Sequence, residues 1–141
     1  MRAAASNWIA RRGWIVWGLV ILVASVVPPE WVFGHAPETA RNPLAWFAHL
    51  FEFGLFALLV ALWRGPDDGL LVGALAAIAY GGAIELIQAP ISYRSADWRD
   101  FLTDVLGVAL ALALLWYGRR RRARRGAPAA GVESAARGGG R

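Results

Sequence analysis

Four apolar runs, each close to the length of a membrane crossing, leave this chain few ways to fold. The first centres on "GWIVWGLVILVASVV" within a span of about 8–27, closed by Pro28-Pro29. The second is "PLAWFAHLFEFGLFALLVALW" (about 43–63) and the third "GLLVGALAAIAYGGAIELIQA" (about 69–89). The fourth is "RDFLTDVLGVALALALLWY" (about 99–117). A helix needs roughly 20 apolar residues to cross the hydrocarbon layer, and strand edges left open there would carry unsatisfied amides. The expectation is an all-α, polytopic membrane protein, with four transmembrane helices in one small bundle over residues 1–118. Trp8, Trp14, Trp63, Trp98, Trp116 and Tyr117 stand at span ends, where interfacial aromatic belts form. An alternative for the first run is a cleaved signal peptide with "GHA" as its cleavage site. "PPEW" lies between core and site and Pro37 would follow the cut, so a retained anchor is the better reading.

Arginine asymmetry sets the expected orientation. Arg2, Arg11 and Arg12 precede the first span, and "RRRRARR" (Arg119 to Arg125) follows the fourth. An even number of spans puts both basic ends on one side. The expectation is therefore a bacterial cytoplasmic membrane protein with both termini cytoplasmic, together with the turn "RGPDDG" (Arg64 to Gly69). Residues 119–141 read as a basic, disordered cytoplasmic tail, Gly/Ala-rich beyond Arg125. Its arginines suit anionic headgroups. Nucleic acid is not an expected partner, because nothing resembles a reading surface.

Against this background the polar residues are unevenly placed. His49 and Glu52 fall at the outer end of span two, Glu85 and Gln88 at the outer end of span three, and Asp100 and Asp104 at the outer start of span four. Arg94 and Asp97 sit in the loop between the last two spans. His49/Glu52 and Glu85/Gln88 are i,i+3 pairs that share a helix face. Asp100, Asp104, Gly107 and Ala111 make one stripe of span four, while Gly73, Ala77 and Gly81 make a small-residue ridge on span three. Small residues permit close helix approach, so both stripes should face other helices. A carboxylate at mid-bilayer costs about 2.5–3.5 kcal/mol on insertion scales. Five carboxylates at one level therefore need partners, for which Arg94, Arg99, Arg41 and His49 are at hand. The expected ligand-binding set is His49, Glu52, Glu85, Gln88, Arg94, Asp97, Asp100 and Asp104. A purely structural polar cap tying three helices together is the competing account.

The two blocks "HLFEFGLFALL" and Glu85-x2-Gln88-x5-Arg94-x5-Asp100-x3-Asp104-x2-Gly107 resemble the VanZ-like family of small integral membrane proteins. The resemblance covers most of spans two to four, with the first span matching as a hydrophobic helix. Ala45-Trp46 stands where the family often has an Asp-Lys pair, and Asp104 where Asn is usual, which makes this chain's polar centre more acidic. The family is associated with low-level resistance to glycopeptide antibiotics, teicoplanin above all. No settled biochemical activity comes with that resemblance.

Three functions are then open. One is a non-catalytic envelope protein whose outward polar pocket binds an envelope lipid, a wall precursor or a glycopeptide, with Arg94 as the anion contact. A second is a small membrane enzyme acting on a lipid-linked envelope substrate, with His49, Glu52 or Glu85 as general acid or base. A proton relay is the third, and it lacks acids in the cytoplasmic halves of spans two to four. No cofactor and no dedicated metal site are expected. The chain has no cysteine and two histidines, which excludes thiolate sites and a multi-histidine zinc centre. Were a metal used, the oxygen-rich set beside His49 would suit magnesium-like chemistry. Membrane lipids are expected partners, and the sequence leaves oligomerisation open.

Overall fold

The structure, a computed structural model, describes residues 2–28, 30–31, 34, 38–92 and 98–126, with side chains at all of these except 2–11, 38–42 and 126. Four helices account for nearly all of it: α1 (Arg2–Val26), α2 (Glu38–Arg64), α3 (Gly69–Gln88) and α4 (Trp98–Gly126). Pro43-to-Arg64, Gly69-to-Gln88 and Trp98-to-Arg125 are each long and apolar enough to cross a membrane. The apolar part of α1, Arg12-to-Val26, is shorter, about 22 Å at ~1.5 Å per residue. Exposed Val16, Leu19 and Val23 on α1, Leu71 and Leu75 on α3, and Leu106, Leu110 and Leu114 on α4 form outer faces suited to lipid. A water-soluble monomer rarely carries contiguous apolar surface on that scale. The chain is a multi-pass, membrane-type helical protein.

Helix α2 is central and packs on all three others, while α1 rests on α2 and α3. The helices run up and down in turn. Trp14, near the start of the apolar part of α1, meets Trp63 at the end of α2, with ring centroids 5.2 Å apart. Arg119 near the end of α4 reaches Gly65 in the α2–α3 turn. The start of α1's apolar part, that turn and the last turns of α4 therefore share one end of the bundle.

Two glycine contacts set how closely the helices approach. Where α2 crosses α4, a Cβ on Gly54 would lie 2.8 Å from the Gly107 carbonyl oxygen, and one on Gly107 would overlap the Leu50 carbonyl. On the α3 side, a Cβ on Gly73 would stand 2.6 Å from the Ala57 carbonyl. The ridge expected on span three is present: Gly73, Ala77 and Gly81 are all buried against neighbouring helices. Phe53, Phe56, Ala57 and Val60 of α2 fill the core with Ile21, Ile84, Val108 and Leu112.

The helix ends depart from the expected spans. α2 begins at Glu38 and carries Pro43 inside it. α4 continues through the arginine run to Gly126, so the segment expected to be disordered from residue 119 is helical as far as that glycine. Residues 127–141 lie outside the described residues. α3 closes at Gln88, where the Ala89 N–H bonds the Glu85 carbonyl just before Pro90.

Candidate functional site: a histidine between two aspartates

Asp104 closes the second turn of α4 and points inward because its stripe faces the α2–α3 seam. Its carboxylate is almost completely buried, 2% exposed. One oxygen, Oδ1, lies 2.8 Å from His49 Nδ1 on α2. Opposite a carboxylate the ring nitrogen is the donor. The other oxygen, Oδ2, rests on Gly81 of α3, where a Cβ would come within 3.1 Å of it. Gly81 is therefore more than a packing residue: its missing side chain is the space that Asp104 occupies. Phe53 closes the same junction, its ring 3.3 Å from that virtual Cβ and stacked near-parallel on His49.

The second ring nitrogen of His49 faces outward along α4. Nε2 lies 3.8 Å from Asp100 Oδ2, beyond direct hydrogen-bond range. A hydroxyl, ammonium or water placed off the line between them would reach both groups. Asp100 is partly exposed and His49 mostly buried, with side-chain exposures of 27% and 14%. Inner oxygen, imidazole and outer oxygen thus form a short polar path from the core to the bundle end. Glu52 follows His49 by one turn of α2 and is half-buried, as is Glu85, one turn beyond Gly81 on α3.

Of the residues expected to converge, His49, Asp100 and Asp104 are in mutual reach, and Glu52 and Glu85 stand one turn away on their helices. Gln88 is buried in a different role: its Nε2 donates to the Ser25 carbonyl of α1 at 3.0 Å. Arg94, Asp97 and the Arg41 side chain lie outside the described residues, so of the expected arginine partners only Arg99 is placed. Arg99 is exposed at the start of α4, with its guanidinium 5.9 Å from the Trp98 ring. Among the described residues no group of three or more His, Asp or Glu side chains is arranged to hold a metal ion.

Sequence reasoning overlooked the part of α1 in this region. Ser25 is buried and donates its hydroxyl to the Ile21 carbonyl at 2.7 Å. Trp17 Nε1 donates to the Glu52 carbonyl at 2.9 Å, and the Tyr80 hydroxyl to the Gly18 carbonyl at 2.6 Å. The signal was available, since Ser25 is the only hydroxyl in the run from Gly13 to Val27.

A family model described as VanZ/LLP1 matches residues 7–119. That range takes in the apolar part of α1, the whole of α2 and α3, and α4 as far as Arg119. No curated protein matched the chain, and no solved structure did.

Proposed function

The chain belongs to the VanZ-like family, and from that premise we propose that it is a non-catalytic protein of the bacterial cytoplasmic membrane whose outer polar centre holds a polar group of an envelope lipid, a wall precursor or a glycopeptide. In this reading all four helices span the bilayer, and both termini are cytoplasmic. The observation that carries it is His49 held between buried Asp104 and partly exposed Asp100. Ionisable groups at membrane depth are costly and are more often functional than ornamental. An acceptor-rich centre selects ligands by their donors, so hydroxyls and ammonium groups of sugars or aminosugars are the matching chemistry. Occupancy there would change tolerance to glycopeptides such as teicoplanin, the association that the family name carries.

The test pairs a cellular and a chemical readout. Bacteria expressing the chain should tolerate more teicoplanin than controls, with the gain lost in His49→Ala and in Asp100→Asn. Mass spectrometry of the purified protein should find an envelope lipid that those variants release. Unchanged tolerance together with no retained envelope lipid would overturn the reading. Sidedness has its own measurement, since the chain is free of cysteine. Single cysteines placed in 28–42 and 90–98 should label from outside, and one in 127–141 only after the membrane is opened.

A second reading is favoured by the His49–Asp104 pair. A carboxylate behind an imidazole fixes the ring's tautomer and leaves Nε2 as a base, the arrangement used in acid–base and nucleophilic catalysis. The chain would then be a small membrane enzyme acting on a lipid-linked envelope substrate. Product released from lipid-linked precursors by the wild type, and lost in His49→Gln or Glu85→Gln with the fold intact, would favour this reading over the first.

A further inference from the structure

The last turns of α4 carry a feature that the polar centre does not use. Trp116, Tyr117, Arg120, Arg121 and Arg124 line a recess of about 320 Å³. Their spacing, i, i+1, i+4, i+5 and i+8, places all five on one helix face. Arg120 stacks over the Trp116 ring, Cζ 5.0 Å from its centroid, and Arg121 over the Tyr117 ring at 4.6 Å. Arg119 lies on another face, where its guanidinium donates to the Gly65 carbonyl at 3.3 Å and ties α4 to the α2–α3 turn. That tie fixes the rotation of the helix, so the aromatic–arginine face keeps its direction.

Depth identifies what meets this face. Asp100 to Arg120 is about 30 Å along a helix, the thickness of the hydrocarbon layer. With Asp100 at one surface, Trp116 and Tyr117 sit in the opposite aromatic belt and the arginines at its phosphates. The segment Trp116-to-Arg125 contains no acidic residue. The acidic residue paired at this end, Asp68 on the α2–α3 turn, is bonded to Arg64 and not to an arginine of α4. Stacked guanidiniums keep their in-plane N–H groups free to fork onto a phosphate, which a lysine does not reproduce.

We propose that Trp116, Tyr117, Arg120, Arg121 and Arg124 form a binding site for the phosphate of an anionic phospholipid in the leaflet at this end of the bundle. The proposal rests on the transmembrane placement of α4 and not on the His49 centre. It differs from the general attraction of basic segments to anionic membranes because the two rings orient the charges. Neutral changes to those rings should therefore matter.

The experiment measures phosphatidylglycerol retained by the full-length protein after reconstitution into mixed phosphatidylglycerol–phosphatidylcholine bilayers and extraction, read by native mass spectrometry. The double variant Trp116→Leu/Tyr117→Leu, with its charge unchanged, should lose about five- to tenfold in retained phosphatidylglycerol, the effect of two cation–π contacts. Arg120→Lys/Arg121→Lys should lose a comparable amount while leaving the hydrophobic surface intact. Arg122→Lys, on a different face, should change little. Retention that follows total charge alone, equal in wild type and both double variants, would overturn the proposal. Displacement of the lipid by millimolar inorganic phosphate would also overturn it, by making the site one for a free anion. Retention should be unchanged in His49→Ala; its loss there would put the lipid at the outer centre and overturn the proposal.

Discussion

Asp104 Oδ1 and His49 Nδ1 meet at 2.8 Å, joining α4 to α2 across 55 residues of chain at the point where α3 contributes only a glycine. The pair sits inside the helix junction, so its removal should be felt by fold and site together. His49→Ala leaves a buried carboxylate without its ring donor and should destabilise by about 1–3 kcal/mol. Asp104→Asn retains an oxygen to accept that donor and should cost less. Thermal unfolding in detergent, followed by intrinsic tryptophan fluorescence, gives the order: wild type, then Asp104→Asn, then His49→Ala.

Gly107→Ala and Gly82→Ala make a matched pair. A methyl on Gly107 drives into the Leu50 carbonyl, a backbone group with no rotamer to change, so α2 and α4 must separate. Overpacking of this kind costs about 1–3 kcal/mol, occasionally more. Gly82 lies on the same helix as Gly81 but, among the described residues, has nothing within 4 Å of its virtual Cβ. Gly82→Ala should leave the unfolding midpoint unchanged or raise it, since alanine is the better helix former by roughly 0.5–1 kcal/mol.

Loosening α1 should leave the other three helices folded. Tyr80→Phe removes the hydroxyl bonded to the Gly18 carbonyl and keeps the ring on Phe56. Gln88→Ala removes the bond to the Ser25 carbonyl. Each net bond is worth about 0.5–1.5 kcal/mol. Disulfide crosslinking between cysteines introduced on α1 and α3 should slow in the double variant, while the same assay across α2 and α4 stays at the wild-type rate.

The α2–α3 turn gives the pH prediction. The Arg64 guanidinium, hydrogen-bonded to Asp68, holds that carboxyl below its ordinary range. A lowered folded pKa means the pair's contribution is fully present above the ordinary carboxylate range and fades as pH falls through the folded value. Both side chains are solvent-exposed, so the contribution is small. A slight loss of stability on acidification, absent in Asp68→Asn, is the expected result of pH-dependent unfolding.

The small-residue ridge of α3 and the Asp104–Gly107 stripe of α4 were legible in the sequence because packing at a fixed period leaves residues of fixed size at that period. The His49–Asp104 contact was legible only as membership of a common level, since choosing a carboxylate's partner needs each helix's rotation and depth. Helix ends were the least legible. Hydropathy marks where lipid begins and ends, whereas the helical backbone runs on to Glu38, past Pro43, at one boundary and through Arg119–Arg125 at another. Ser25 was visible as a lone hydroxyl, but the bond that docks α1 here uses its main-chain oxygen, which no side-chain pattern marks, and a Gln88 more than sixty residues away.

The bonds from Tyr80 and Gln88 both end on main-chain oxygens of α1, at Gly18 and Ser25. A main-chain oxygen is present whatever residue occupies the position, so α3 recognises where α1 lies and at what depth, with little regard to its spelling. Lineages of this fold should therefore be free to rewrite much of their first helix while the docking persists, and an unfamiliar opening helix would be weak grounds for calling two such bundles unrelated.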